Sequence, residues 1–398
     1  MADAALRVAL FTYSSRPRGG VVHALQLAEA LAESGQEVRL FALEKPGRAG
    51  FFRPTAVPAT FIPVAERSGE PIDERIGRYI EAYVAHLEVA LAAGARFDVY
   101  HAEDCISANA LLRLRDDGRI PALVRTVHHV DDFTSAALVA CQRRSIVEPD
   151  VVLVVSEWWR RLLAEDWGVS AQVVHNGVDL ARFGPPPDAA ERERLRAGLG
   201  LDGTVAVLAV GGVEPRKNTL VLLRAFVRAA PRLAAATGRR PLLVIAGGET
   251  LFDYRAYRDG FDRELAGLLA SGRLAPGAVR LLGPVEQERL TALLRAADVF
   301  AFPSLKEGWG LVVLEAQASG LPVVASGISV LREYLVDGEN ALLVPPDDEG
   351  ALAGALLRAA SEGGLAERLR AGGFATARRF DWRSSAERHL AVYRGLAG

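Results

Sequence analysis

Residues 298–326 read DVFAFPSLKEGWGLVVLEAQASGLPVVAS. The run DVFAFPS is apolar and β-rich, and Pro303 closes it, because proline has no N–H to give a sheet ladder. Gly308 and Gly310 then let the backbone turn tightly into a helix predicted over about 310–319, and LPVVAS (321–326) follows as a second buried strand. Two apolar strands joined by a helix form a parallel crossover, so this stretch predicts a parallel sheet with helices on both faces.

The alternation extends outward from it. TVAVLAVGG (204–212), PLLVIAGG (241–248) and AVRLLG (278–283) precede it, and ALLVP (341–345) follows. The first half repeats the pattern with RVALFTYS (7–14), EVRLFAL (37–43), FDVYHAE (97–103), PALVRTVH (121–128), DVVLVVS (150–156) and AQVVH (171–175). Between the halves, GPPPDAAERERLRAGLGLDG (184–203) starts with prolines and turns charged, as a linker does. The sequence thus predicts an α/β protein of two tandem Rossmann-like doubly wound domains, 1–183 and 204–376, with the linker 184–203 between them. A C-terminal helix at 377–398 is free to pack back on the N-terminal domain. Ligands of such sheets lie beyond the carboxyl ends of the strands, and two domains in series are expected to form an inter-domain cleft.

Bulk properties narrow the function classes. The chain has 398 residues, half of them hydrophobic, the balance of a two-domain globular protein. A net charge of -2 gives no reason to expect nucleic acid as a partner, so any anion site is local. Cys105 and Cys141 stand too far apart in sequence for a CxxC motif, which favours a reducing compartment. With no basic leader and no long apolar run, a cytoplasmic location is expected, peripheral contact with the inner face of a membrane remaining open. Only three of the 47 basic residues are lysines, Lys45, Lys217 and Lys306, and two of these fall in turns that follow predicted strands.

Common catalytic motifs are absent. No lysine follows a glycine as in a Walker loop, GxSxG, HExxH and DxD are missing, and at the Gly308–Gly310 turn Val313 stands where GxGxxG needs its last glycine. What remains is an anion site. Backbone N–H groups at the turn of Gly308 and Gly310 and at the start of the following helix suit a phosphate. Glu315 falls about five residues into that helix, ~7–8 Å along its axis, and Glu307 precedes the turn, so the two carboxylates flank the site. Opposite them GGVEPRKN (211–218) ends another strand, and Arg216 and Lys217 offer a forked donor and a point charge to a diphosphate. A sugar joined to a nucleoside through a diphosphate fits that arrangement.

PRKN, the spaced glutamates of EGWGLVVLE, ASGLPVVAS, DGENALLVPP and the C-terminal FDW closely resemble the family 4 retaining glycosyltransferases of the GT-B fold. The likeness covers nearly the whole chain and is most specific over 205–346. It implies transfer of a sugar from a nucleotide-diphosphate sugar to an acceptor hydroxyl with retention, needing neither metal nor other cofactor. By resemblance Glu315 binds the donor ribose, Glu307 the donor sugar near its C3 hydroxyl, and Arg216 and Lys217 the diphosphate. Gly19 and Gly20 match the family's glycine loop, and His128, with His129 as its rival, matches a histidine near the donor sugar.

The rest of the donor set is Gly212, Gly308, Trp309, Gly310, Leu311 and, through backbone near the base, Val285. The chain departs from the family pattern at Trp309, at Gln317 and at Ala341, and its aromatic-rich stretch 249–265 is an addition. SEWWRRLLAEDW (156–167) offers tryptophans and arginines to a lipid surface or a bulky acceptor. The implied acceptor is a small molecule, a glycan or a lipid-linked group, and UDP, GDP and ADP are equally compatible with these residues. Two other readings share these features: an epimerase or phosphorylase/synthase-like enzyme of the same fold, and a non-catalytic sugar-nucleotide-binding protein.

Overall fold

The structure, a computed structural model, describes residues 4–45, 50–248 and 254–397; residues 249–253 of the aromatic-rich stretch lie outside it. The chain divides into two compact units, Met1–Gly177 with Trp382–Gly398, and Val178–Asp381.

The first unit holds the strands β1 (Arg7–Thr12), β2 (Glu37–Glu44), β3 (Ala59–Pro63), β4 (Val99–Ala102), β5 (Leu123–Val127), β6 (Val151–Val154) and β7 (Ala171–Val173). They form a seven-stranded sheet in the order β3-β2-β1-β4-β5-β6-β7. Every pairing is parallel, with Val8 opposite Val38 on one side and Val99 on the other. Central strands lie between two helical layers, which is why β1 and β5 are buried at nearly every position. Helix Gly19–Glu33 buries Val21, Leu25, Ala28 and Leu31, and Gly35, at φ +87°, ends it in the left-handed region that glycine adopts freely. Helix Ile72–Ala92 buries Tyr79, Tyr83 and Leu87, and the Tyr83 hydroxyl donates to the Thr12 carbonyl at 2.6 Å, so its polar tip is satisfied inside the core.

The second unit holds β8 (Thr204–Val210), β9 (Arg240–Ala246), β10 (Val279–Gly283), β11 (Val299–Phe302), β12 (Val323–Ser326) and β13 (Leu342–Val344), in the order β10-β9-β8-β11-β12-β13. Its pairings are also parallel. In each sheet the strand order reverses once, between β1 and β4 and between β8 and β11. Loops leaving adjacent strands at such a point diverge to opposite faces and open a crevice at the carboxyl ends. The fold is α/β, with two Rossmann-like domains.

Three features depart from the sequence expectation. β3 was not anticipated. Residues 184–203 are not a linker: Asp188 caps helix Ala189–Leu199 by accepting from the Glu191 N–H, and Arg196 is buried with Nη1 3.1 Å from Asp298 and further bonds to the carbonyls of Leu201, Thr204 and Ala296. The division between units falls after Gly177 and not after 183. The last helix, Trp382–Ala397, belongs to the first unit, where it packs on helix Gly19–Glu33 and Tyr393 meets His101 Nδ1 at 2.6 Å. Among the described residues no helix is long and apolar enough to cross a membrane.

Candidate functional site

In the second unit β8 runs into Gly211 and Gly212 and then the short 3-10 turn Pro215–Lys217. β11, its neighbour, runs into the segment 303–310. The amide of Leu305 donates to the Arg216 carbonyl at 2.9 Å, which stitches the two loops together. Lys217 folds back over Gly211, where an added Cβ would lie 2.5 Å from its Cε and φ is +132°. Only glycine leaves that path clear.

Lys217 Nζ then lies 4.6 Å from the Phe302 ring centroid and 2.7 Å from Glu307 Oε1, and Arg216 Nη1 reaches the same oxygen at 3.0 Å. Burial alone would raise the Glu307 pKa; Lys217 and Arg216 overcome it and hold the carboxylate down at about 2. Burial pushes the Lys217 pKa down, with Glu307 opposing. Glu307, Arg216 and Lys217 therefore form one ionised cluster, with Glu307 buried, Lys217 partly buried and Arg216 about a third exposed at 34%. The family resemblance distributes these three between sugar and diphosphate, whereas here they first bind one another.

Gly310, at φ +89°, turns the chain into helix Leu311–Ala318. An added Cβ there would approach Leu331 Cδ2 and the Tyr334 hydroxyl oxygen at 3.0 Å, so the position admits nothing larger. Glu315 sits on this helix, buried, with no hydrogen bond contributing to its ionisation. Burial pushes its pKa up to about 7, Arg182 partly offsetting this. The two glutamates of the motif are thus opposites: cations hold Glu307 ionised, whereas burial favours the protonated form of Glu315.

Trp309 is not exposed to a pocket. Its ring packs on Tyr334 at 4.8 Å and Phe380 at 5.3 Å, and its carbonyl accepts from the Tyr334 hydroxyl at 2.9 Å, so it anchors the loop from within. Gly308 and Leu311 are half-buried on either side of it. Gly212, at φ +78°, is pressed against the Gly248 carbonyl, where a Cβ would come to 2.7 Å. Val285 is half-buried just past the carboxyl end of β10.

In the first unit the corresponding reversal point carries Gly19 and Gly20 after β1, Glu103 after β4, and His128 after β5. Gly19 is exposed and meets nothing, but a Cβ on Gly20 would touch His128 Cδ2 at 3.3 Å. The second glycine lets the helix start approach the imidazole. His129 turns away toward Asp131, 3.2 Å distant, and is exposed.

His23 and Glu103, which the sequence reading did not single out, complete this group. His23 stacks edge-on against His128 at 4.8 Å, and Glu103 Oε2 lies 2.8 Å from His128 Nε2. The signal was the HAE of FDVYHAE, a carboxylate at the carboxyl end of a central strand. His23, Glu103 and His128 place three ligand-type atoms within 4.8 Å, the group of that kind found among the described residues. The 2.8 Å contact is a hydrogen bond, shorter than the ~3.3 Å that separates two ligands about one zinc-sized ion, so the arrangement fits a shared proton better.

Residues 191–375 match the family model Glycosyl transferases group 1, and residues 17–182 match Glycosyltransferase Family 4. The chain is 37% identical over 314 residues to D-inositol 3-phosphate glycosyltransferase of Acidothermus cellulolyticus, covering 75% of this chain and 67% of the relative. It is 30% identical over 398 residues to phosphatidyl-myo-inositol mannosyltransferase of Mycolicibacterium smegmatis, covering 97% and 92%. Among solved structures, Anabaena HepE in complex with UDP-glucose superposes with a TM-score of 0.77 at 17% identity, covering 98% of this chain and all of the other.

Proposed function

This chain belongs to the glycosyl transferases group 1, of the family 4 type, and from that premise we propose that it moves a sugar from a nucleotide-diphosphate sugar to an acceptor hydroxyl with retention of configuration. The observation that carries the reading is the cluster of Arg216, Lys217 and Glu307 at the strand-order reversal of the second sheet, beside the helix start that holds Glu315.

As the bond from the sugar to phosphate breaks, the anomeric carbon becomes oxocarbenium-like and negative charge grows on the leaving diphosphate. Arg216 and Lys217 meet that charge, together with loop N–H groups, and stabilise the transition state more than the ground state. Glu307 keeps the buried lysine charged until the donor arrives and is placed to accept from the sugar. Glu315 accepts from the ribose hydroxyls, where its ionised form is the stronger acceptor. The leaving phosphate oxygen takes the acceptor proton on the face it departs from, so neither an enzymic base nor a metal is required. His128 accepts a hydrogen bond from a substrate hydroxyl.

The names of the two relatives, one acting on D-inositol 3-phosphate and one on phosphatidyl-myo-inositol, support a phosphorylated or lipid-linked polyol as acceptor. For a lipid-linked acceptor, helix Glu157–Trp167 offers the exposed Trp158 with Arg160 and Arg161 to a membrane surface. A thermal-shift screen of UDP, GDP and ADP, followed by release assays with the matching sugar nucleotides, tests the proposal. One nucleotide is expected to stabilise the protein and its sugar conjugate to be turned over; no shift and no turnover across the panel would sink it.

A further inference from the structure

Glu103 is enclosed on all sides, its side chain fully removed from solvent. Oε2 lies 2.8 Å from His128 Nε2, and Oε1 stands 3.6 Å from both His23 Nε2 and His101 Nε2 without a hydrogen-bond partner. The proton positions around it follow from the neighbours. His23 Nδ1 is 2.8 Å from the Asn176 side-chain oxygen, which can only accept, so the His23 proton sits on Nδ1 and its Nε2 presents a bare lone pair to Glu103. His101 is tied off by the Tyr393 hydroxyl at 2.6 Å and the Thr126 hydroxyl at 2.7 Å. Arg125, Asp104, His129, His389 and Tyr393 are further titratable or charged groups around the cluster.

We propose that Glu103 is a positioning residue for His128: it holds the ring with Nε2–H turned inward, so that Nδ1 is fixed as a hydrogen-bond acceptor for a substrate hydroxyl. This rests on the transferase reading given above. The ring edge of Cδ2 and Nε2 faces Gly20 and Glu103, and the other nitrogen, Nδ1, has no hydrogen-bond partner among the described residues and is not among the fully buried orphan atoms. Ionised, Glu103 has no proton to give, so Oε2 accepts the Nε2 proton. The carboxylate thus sets one tautomer of His128. A hydroxyl that donates to Nδ1 is retained, and a donor sugar lacking that hydroxyl is rejected, because the nitrogen would be left dry and unpaired.

The mechanism makes an unusual demand on the substitutions. A glutamine at 103 keeps an oxygen that can accept from His128, so Glu103→Gln is expected to keep donor kcat/KM within about threefold. Glu103→Leu removes the acceptor and is expected to lower kcat/KM about ten- to a hundredfold. Nucleoside diphosphate affinity should be unchanged, since Arg216, Lys217 and Glu315 belong to the other sheet.

Long-range ¹H–¹⁵N spectra of histidine-labelled protein read the tautomer directly. His128 is expected as Nε2–H in the wild-type and Glu103→Gln proteins, and as a mixture or as Nδ1–H in Glu103→Leu. An imidazolium or an Nδ1–H tautomer at His128 of the wild-type protein would overturn the proposal without any variant. So would an unchanged kcat/KM in Glu103→Leu. The wild-type tautomer decides the point even if no sugar nucleotide is turned over, an outcome that would count against the transferase reading instead.

Discussion

Replacing Glu307 with glutamine removes the charge that Lys217 Nζ and Arg216 Nη1 share at 2.7 and 3.0 Å. The folded chain holds this carboxyl at about 2 against an ordinary value of 4.5. At ~1.4 kcal/mol per pH unit, that gap favours the ionised folded state by about 3 kcal/mol. Because the folded pKa is depressed, the contribution is fully present above pH ~4.5 and is lost as pH falls toward 2. Glutamine forfeits it at neutral pH and leaves a buried lysine short of its counter-charge. At about 2–4 °C per kcal/mol for a domain of 150–250 residues, Tm is expected to drop by roughly 6–12 °C.

Diphosphate binding should respond in the opposite sense. The ligand's phosphates would replace the missing counter-charge, so nucleoside diphosphate affinity is expected to hold or rise and the ligand-induced rise in Tm to exceed that of the wild-type protein. Turnover should still fall, since the sugar loses an acceptor. Differential scanning fluorimetry with and without ligand, calorimetry and steady-state rates separate these effects. A Tm within about 2 °C of wild type together with a tenfold loss of diphosphate affinity would refute the reasoning.

Glu315→Gln should behave as the mirror image. Its raised folded pKa means that ionised Glu315 costs stability increasingly from pH ~4.5 to ~7 and fully above, so the variant is expected to melt higher than wild type at pH 8 and about equally near pH 4. It should bind nucleoside diphosphate roughly ten- to a hundredfold more weakly, from a charge-assisted bond worth about 1.5–3 kcal/mol; calorimetry checks this, and unaltered affinity would remove Glu315 from the ribose. Arg216→Ala and Lys217→Ala are each expected to lower turnover about a hundredfold or more, read in steady-state assays. Gly211→Ala should displace Lys217, lowering both Tm and turnover; a variant indistinguishable from wild type in both would show that the lysine takes another path. Nucleoside diphosphate affinity should be the same with and without EDTA, and a tenfold or greater loss in chelator would contradict metal-independent binding.

How much of this was legible in the sequence follows from what each element buries. Strands such as TVAVLAV and VFAF are enclosed on both faces, so past Thr204 their residues are apolar without interruption and stand out. β3 is an edge strand of five residues, mostly half-exposed and ending in Pro63, and lacks that signature. The charged helix Ala189–Leu199 read as solvated because a buried arginine is indistinguishable from an exposed one until its partners are known. Those of Arg196 include Asp298, far away in sequence.

At the site, the positions of Glu307, Arg216 and Lys217 at strand ends were readable, but their mutual pairing was not, since it depends on β8 and β11 being neighbours. Trp309 has the composition of a pocket wall and the surroundings of a core residue. Glu103 escaped notice because a single carboxylate carries no spacing; only the fold brings His23 and His128 to it.

The configuration of the first sugar released from an α-linked nucleotide sugar tests the central claim most directly. ¹H NMR of the slow hydrolysis or transfer reaction, recorded before mutarotation, distinguishes the anomers with no need to know the natural acceptor. Retention at a site where Arg216 and Lys217 hold the leaving diphosphate predicts that the α-anomer appears first and that Arg216→Ala abolishes its appearance. The β-anomer appearing first would contradict the account.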